Sequence, residues 1–149
     1  MANATFYVLA PDAEPDHLTL ACLLASDCYR RGQPVYIHCQ DQSQSHEIDE
    51  KLWQFDPQRF VPHNLVGEGP RGGAPVEIGH NDQFSSKKRP VLINLSATVP
   101  QFAVEFAQIF DFVPAADDAK VQARERFRAY RQLKVALTTH DLAKQPLSF

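Results

Sequence analysis

Apolar and polar positions along the chain follow two rhythms in turn. Residues 4–9, Ala-Thr-Phe-Tyr-Val-Leu, form the unbroken β-branched, aromatic and aliphatic run of a buried strand, closed by Pro11. Leu18, Cys22, Ala25 and Tyr29 then recur at helical spacing, with Pro15 predicted as the first helical residue and Gly32 as the stop. Residues 34–39, Pro-Val-Tyr-Ile-His-Cys, predict a second strand, and residues 45–53 a second helix with Ile48, Leu52 and Trp53 on one side. Residues 91–95 predict another aliphatic strand. After Pro100, the spacing of Phe102, Phe106, Ile109 and Phe110 predicts a third helix, closed by Asp111-Phe-Val-Pro114. Residues 117–134 predict a long basic helix whose Asp117 and Asp118 stand where the helix dipole favours acids. Beyond Leu137 the pattern fades into an expected loose end.

The alternation of strand and helix implies an α/β fold, and 149 residues are about one domain. With 44% hydrophobic and 22% charged residues, and no apolar segment approaching the roughly 20 residues of a membrane helix, the chain reads as soluble with no membrane partner. Residues 1–5 lack the basic start and apolar stretch of a signal peptide. Cys22, Cys28 and Cys39 form an odd set without a Cys-x-x-Cys pair, which argues against a disulfide framework or zinc knuckle and for a reducing cytoplasm. None of the six histidines sits at a spacing that would put two on one helical face, so neither a metal nor a cofactor is expected. His38 and Cys39 fall on opposite faces of a strand and read as packing or surface residues.

Two segments carry candidate chemistry. The first is the glycine-rich run around Gly67-x-Gly69-x-x-Gly72, which formally satisfies a dinucleotide fingerprint. Such a turn needs a strand before it and a helix opening from it. Pro62 weakens the first condition, and Pro70, Pro75 and the extended signature of Val76-Glu77-Ile78 oppose the second, so a rigid surface loop is expected. The second segment is the basic helix. Six Lys or Arg against three Asp or Glu give residues 117–134 a charge of +3, which leaves −6 on the rest of a chain whose net charge is −3. Arg124, Phe127, Arg128 and Arg131 stand at i, i+3, i+4 and i+7, one face. Guanidinium groups that can fork onto carboxylates, beside an aromatic ring, suit a short acidic peptide ending in an aromatic residue with a free carboxylate. An ordinary amphipathic helix, with Phe127 in the core and the arginines in water, fits the same spacing.

The full run Phe60-Val-Pro-His-Asn-Leu-Val-Gly-Glu-Gly-Pro-Arg-Gly-Gly-Ala-Pro-Val-Glu-Ile78 resembles the signature of the chi subunit of bacterial DNA polymerase III holoenzyme. Asn3-Ala-Thr-Phe-Tyr, Leu52-Trp53, Asp111-Phe-Val-Pro114 and Ala123-Arg-Glu-Arg-Phe-Arg-Ala-Tyr-Arg131 follow the same family in the same order. The resemblance is weakest over residues 11–30, 80–90 and after Leu137. It implies a single three-layer α/β domain over residues 1–137, with a mostly parallel or mixed central sheet flanked by helices, Rossmann-like without a nucleotide site, and a loosely held tail over 138–149.

The resemblance further implies a non-catalytic adaptor in the cytoplasm. Chi subunits pair with the psi subunit, which tethers them to the clamp loader, and grip the acidic C-terminal tail of single-stranded DNA-binding protein, an indirect association with single-stranded DNA. The family also allows a repair helicase to compete for the psi-facing surface. Carried over by position, Arg124, Phe127, Arg128 and Trp53 are implied to bind the tail, and Phe60, Val113 and Arg131 to face psi. Phe127 stands where the family pattern has tyrosine and Arg128 where it has lysine, which changes hydrogen-bonding geometry while keeping the charge. Two other classes compete with this reading: a small nucleotide-dependent enzyme using the 67–73 loop with Glu68 or His63 as base, and direct nucleic-acid binding through the basic helix.

Overall fold

Unbroken apolar runs become the central strands of one sheet. In the computed structural model, which describes residues 2–12, 16–55, 58 and 60–147, the strands are β1 (Asn3–Val8), β2 (Val35–Cys39), β3 (His63–Leu65), β4 (Val76–His80), β5 (Val91–Asn94), β6 (Gln108–Val113) and β7 (Ala136–Asp141). They form a seven-stranded sheet in the order β3-β4-β2-β5-β6-β1-β7. Every pairing is parallel. All residues of β2 and β5 are buried, as strands covered on both faces must be.

Helices α1 (His17–Arg30) and α2 (Gln42–Gln54) cover one face, where Leu24, Ile48 and Leu52 pack with Ile37, Ile78 and Ile93. Helix α3 (Asp117–Gln132) and a 3₁₀ helix, Gln101–Glu105, cover the other, where Tyr130, Ala103 and Phe106 meet Phe6, Tyr36, Leu92 and Ile109. The result is the expected three-layer α/β fold. Asp16 caps α1 by accepting from Thr19 N at 2.9 Å, and Asp41 caps α2 by accepting from Gln44 N at 2.8 Å. Pro15, expected to open α1, lies outside the described residues. Cys39 faces the α1/α2 core while His38 meets Phe102 across the sheet, so the two do point apart.

Two expectations need correction. The third helix over residues 102–110 does not form: its first part is the 3₁₀ helix, and Phe110 lies in β6. Strand pairing on both sides decides the matter, since Ile109 registers with Ala4 of β1 and with Leu92 of β5. A lone helix there would leave both neighbours without a ladder. Likewise Thr138–Asp141, placed in the loose end, belong to β7, in register with Thr5–Val8.

The glycine run joins β3 to β4 and is held from below. Glu77, buried in β4, accepts from Ser86 N at 2.7 Å and pairs with the buried Arg89 at 3.6 Å. Arg89 also donates to the carbonyls of Gly72 and Pro75, both at 3.1 Å. A Cβ on Gly73 would lie 2.5 Å from Glu77 Oε2 and 2.8 Å from Arg89 Nη2, and the residue has φ +77°. Close approach to this ion pair, in the left-handed region, explains glycine at 73. The loop leads into a strand and opens no helix, so no helix N-terminus stands ready for a phosphate.

Candidate functional site

Helix α3 divides its arginines between two jobs. Ala123, Arg126 and Tyr130 are its buried side. Arg126 Nε donates to Asp111 Oδ1 at 3.0 Å, and its remaining nitrogens reach the carbonyls of Phe112 at 2.8 Å and Ala97 at 3.3 Å. Asp111, 1% exposed on β6, also accepts from Phe112 N at 2.7 Å, Tyr130 Oη at 2.8 Å and Asn94 Nδ2 at 3.2 Å. Burial pushes the Asp111 carboxyl above its usual range, and the Arg126 charge with the other three donors pulls it back toward the anion. Burial, with the neighbouring Asp111 charge, pushes the Tyr130 phenol well above its usual range and keeps it a donor. This network pins α3 to the sheet and takes Arg126 out of the surface charge. It was not foreseen, although an aspartate inside an apolar strand is itself a signal that a buried cation is needed.

The outer side of α3 forms a groove. Phe127, half-buried, tilts against Phe6 at a ring-centroid distance of 5.4 Å. The Arg131 guanidinium lies 5.3 Å from the Phe127 centroid, a cation–π contact. A cavity of about 270 Å³ opens beside them, floored by Phe6, Val8, Val113 and Phe127 and rimmed by Lys120 and Arg124. Apolar floor and cationic rim share one opening. Arg128 stands outside it, exposed and paired with Glu125 at 2.8 Å. Lys120 was missed by the sequence reading, although it lies one turn before Arg124 on the same face.

The expected site residues are therefore regrouped. Arg124 and Phe127 meet as foreseen, and Val113, assigned to the psi-facing set, joins them, with Arg131 stacked on the Phe127 ring. Trp53 does not. It sits on α2, on the opposite face of the sheet, and its ring meets Phe60 at 5.5 Å and His63 at 4.7 Å. His63 belongs to β3, the edge farthest from β7. The sheet thus separates Trp53 from Phe127, and Phe60 from Val113 and Arg131. Trp53 and Phe60, 56% and 64% exposed, make an aromatic patch of their own.

Among the described residues, His63 and Glu68, the bases proposed for an enzyme, are not brought together with other catalytic groups. His63 is engaged by the Val61 carbonyl at 2.8 Å and the Asp49 carboxylate at 3.2 Å, and Glu68 is exposed in the loop. Among the described residues, no three His, Cys, Asp or Glu are placed to hold a metal ion, and no helix is long and apolar enough to cross a membrane.

Comparison with known proteins agrees with the fold. The family model described as DNA polymerase III chi subunit, HolC, matches residues 1–138. The DNA polymerase III subunit chi of Escherichia coli K12 is 46% identical over 143 residues, covering 93% of this chain and 97% of that one. Its counterpart in Haemophilus influenzae Rd is 42% identical over 140 residues, with 94% and 97% covered. That of Pseudomonas aeruginosa PAO1 is 36% identical over 145 residues, with 97% and 99% covered. Among solved structures, the crystal structure of T4 UvsW superposes with a TM-score of 0.58 at 9% identity over 95% of this chain. The chain spans 42% of that larger one, and the likeness is one of fold.

Proposed function

The chain belongs to the DNA polymerase III chi-subunit family, an accessory subunit of replication, and from that premise we propose a non-catalytic adaptor with two separate docking surfaces. The α3 groove takes the acidic C-terminal tail of single-stranded DNA-binding protein. Lys120 and Arg124 meet its carboxylates, Arg131 holds the Phe127 ring face-on, and the Phe6-Val8-Val113 floor receives its terminal aromatic side chain. The observation that carries this reading is the joining of an apolar floor to a cationic rim in one cavity. The psi subunit docks on the exposed Trp53–Phe60 patch, at the opposite edge and face of the sheet, which leaves both partners free to bind together. A repair helicase using the psi-facing surface would compete with psi there and leave the tail groove open. Psi ties the protein to the clamp loader in the cytoplasm, and the tail ties it to coated single-stranded DNA.

The test is a calorimetric titration of an acidic peptide ending in phenylalanine, with free and with amidated C-terminus. The free acid binds, weakens as salt rises, and loses about tenfold or more with Arg124→Ala or Phe127→Ala. Phe60→Ala leaves the peptide untouched and weakens psi. Peptide binding indifferent to both Arg124 and Phe127, or equal binding of the amide, overturns the assignment.

A further inference from the structure

A wide cavity lies away from both surfaces. It is a trough of about 660 Å³ lined by Phe84, Phe102, Phe106, Lys87 and Lys88, with Val104 and Glu105 at one side. Phe84, on the connection between β4 and β5, is 66% exposed, which no packing need explains. Its ring nonetheless has a neighbour on one side. It rests edge-on against Phe102 at 5.5 Å, and the Tyr36 hydroxyl donates to the adjacent Gln83 carbonyl at 3.2 Å. Lys87 and Lys88 are exposed, and among the described residues neither has an ion-pair partner. Lys88 also lines a second cavity of about 520 Å³, beside Ala2 and Pro90, and the two share Arg89, Val104, Glu105 and Phe106. The trough therefore continues past a lysine instead of closing behind it.

We infer that this trough binds single-stranded DNA, with a base stacked on Phe84 and the phosphodiesters passing Lys87 and Lys88. An exposed ring beside unpaired ammonium groups along an open channel is the chemistry of a stacking platform for a single strand. Lysines fit phosphates as point charges, whereas the forked recognition of a carboxylate that Arg124 offers in the α3 groove needs an arginine. The arginine present, Arg89, is buried and spent on Glu77 and two carbonyls, so it adds no fork to the trough. Glu105 works against a polyanion and marks the trough's weak point. Phe102 and Phe106 lie on the α3 face of the sheet. A protein tethered through α3 would hold the trough near the strand, where even weak affinity counts because the tether supplies a high local concentration.

Fluorescence anisotropy of a labelled oligothymidylate at low salt, with the isolated protein, tests the inference without relying on tail binding. Phe84→Ala weakens binding by roughly 5- to 100-fold, the range of one lost base stack. Replacing Lys87 and Lys88 together with alanine weakens it and flattens its salt dependence. Glu105→Gln strengthens it, and Arg124→Ala leaves it unchanged. Circular dichroism confirms that each variant is folded. Binding that ignores Phe84 and both lysines overturns the inference. So does preferential capture of an acidic peptide by the same residues, or tighter binding of a matched RNA.

Discussion

Arg126 and Arg124 stand two positions apart on one helix, and the structure assigns them opposite fates. Replacing Arg126 with methionine leaves Asp111 buried with its remaining donors, Phe112 N, Tyr130 Oη and Asn94 Nδ2, but without a counter-charge. Breaking a buried pair from one side costs about 3–5 kcal/mol, because the abandoned charge keeps its full desolvation penalty. Arg124, exposed on the groove rim, has no such partner among the described residues, and Arg124→Met should change stability by about 0.5 kcal/mol or less. Urea unfolding followed by circular dichroism separates the two, and the thermal midpoint of Arg126→Met should drop by roughly 10 °C for a domain this size. Adding Asp111→Asn to Arg126→Met should recover part of the loss, since a neutral amide replaces the stranded carboxylate. Peptide affinity should show the reverse order, collapsing with Arg124→Met and surviving in folded Arg126→Met. A stability cost below about 1 kcal/mol for Arg126→Met, or equal costs for the two arginines, would refute the division of labour.

Three further outcomes are expected. Burial, with a smaller contribution from His80, pushes the His38 imidazole down to about 4, and among the described residues its Nδ1 has no hydrogen-bond partner. The unfolded chain takes up a proton below the ordinary value of about 6.5 that the folded state refuses, so stability should fall by about 1.4 kcal/mol per pH unit between those values. His38→Leu should flatten that part of the urea-midpoint profile, and an unchanged slope would remove His38 as its source. Gly72 and Gly73 both have positive φ, but a Cβ meets nothing closer than 3.9 Å at 72 and the Glu77–Arg89 pair at 73. Gly73→Ala should therefore lose about 1–3 kcal/mol more than Gly72→Ala in the same unfolding assay, and equal losses would discount the ion pair. Trp53→Ala should leave acidic-peptide affinity as it is, while a fall matching that of Arg124→Ala in the same titration would return Trp53 to the groove.

How much of this was legible follows from what each segment buries. β1, β2 and β5 could be read because central parallel strands hide most of both faces and so are largely apolar. Phe102, Phe106, Ile109 and Phe110 satisfy a helical period, but Ile109 and Phe112 are buried on opposite faces of the sheet, a period-two fact that only pairing partners reveal. β7, Ala-Leu-Thr-Thr-His-Asp, lies at an edge with half its residues exposed, so it carries little apolar signal. The spacing of Arg124 and Phe127 sufficed to put them beside one cavity, because a helix fixes which neighbours share a face. The placing of Trp53 failed because sequence order does not say at which edge of a sheet a helix will sit. Arg126 looked like one more surface cation until Asp111, fifteen residues earlier, supplied its partner.

The strand order also dictates a timetable. β1 is flanked by β6 and β7, so the first strand to be synthesised has no neighbour in the sheet until residues 108–141 have been made. Strands β2 to β5 pair among themselves and can assemble while the chain is still growing. Meanwhile Phe6, Tyr7 and Val8 wait as an unpaired apolar ribbon. Such long-range closure slows folding and lengthens exposure to aggregation. Nascent chains stalled before β6 should accordingly be the forms of this protein most dependent on chaperones.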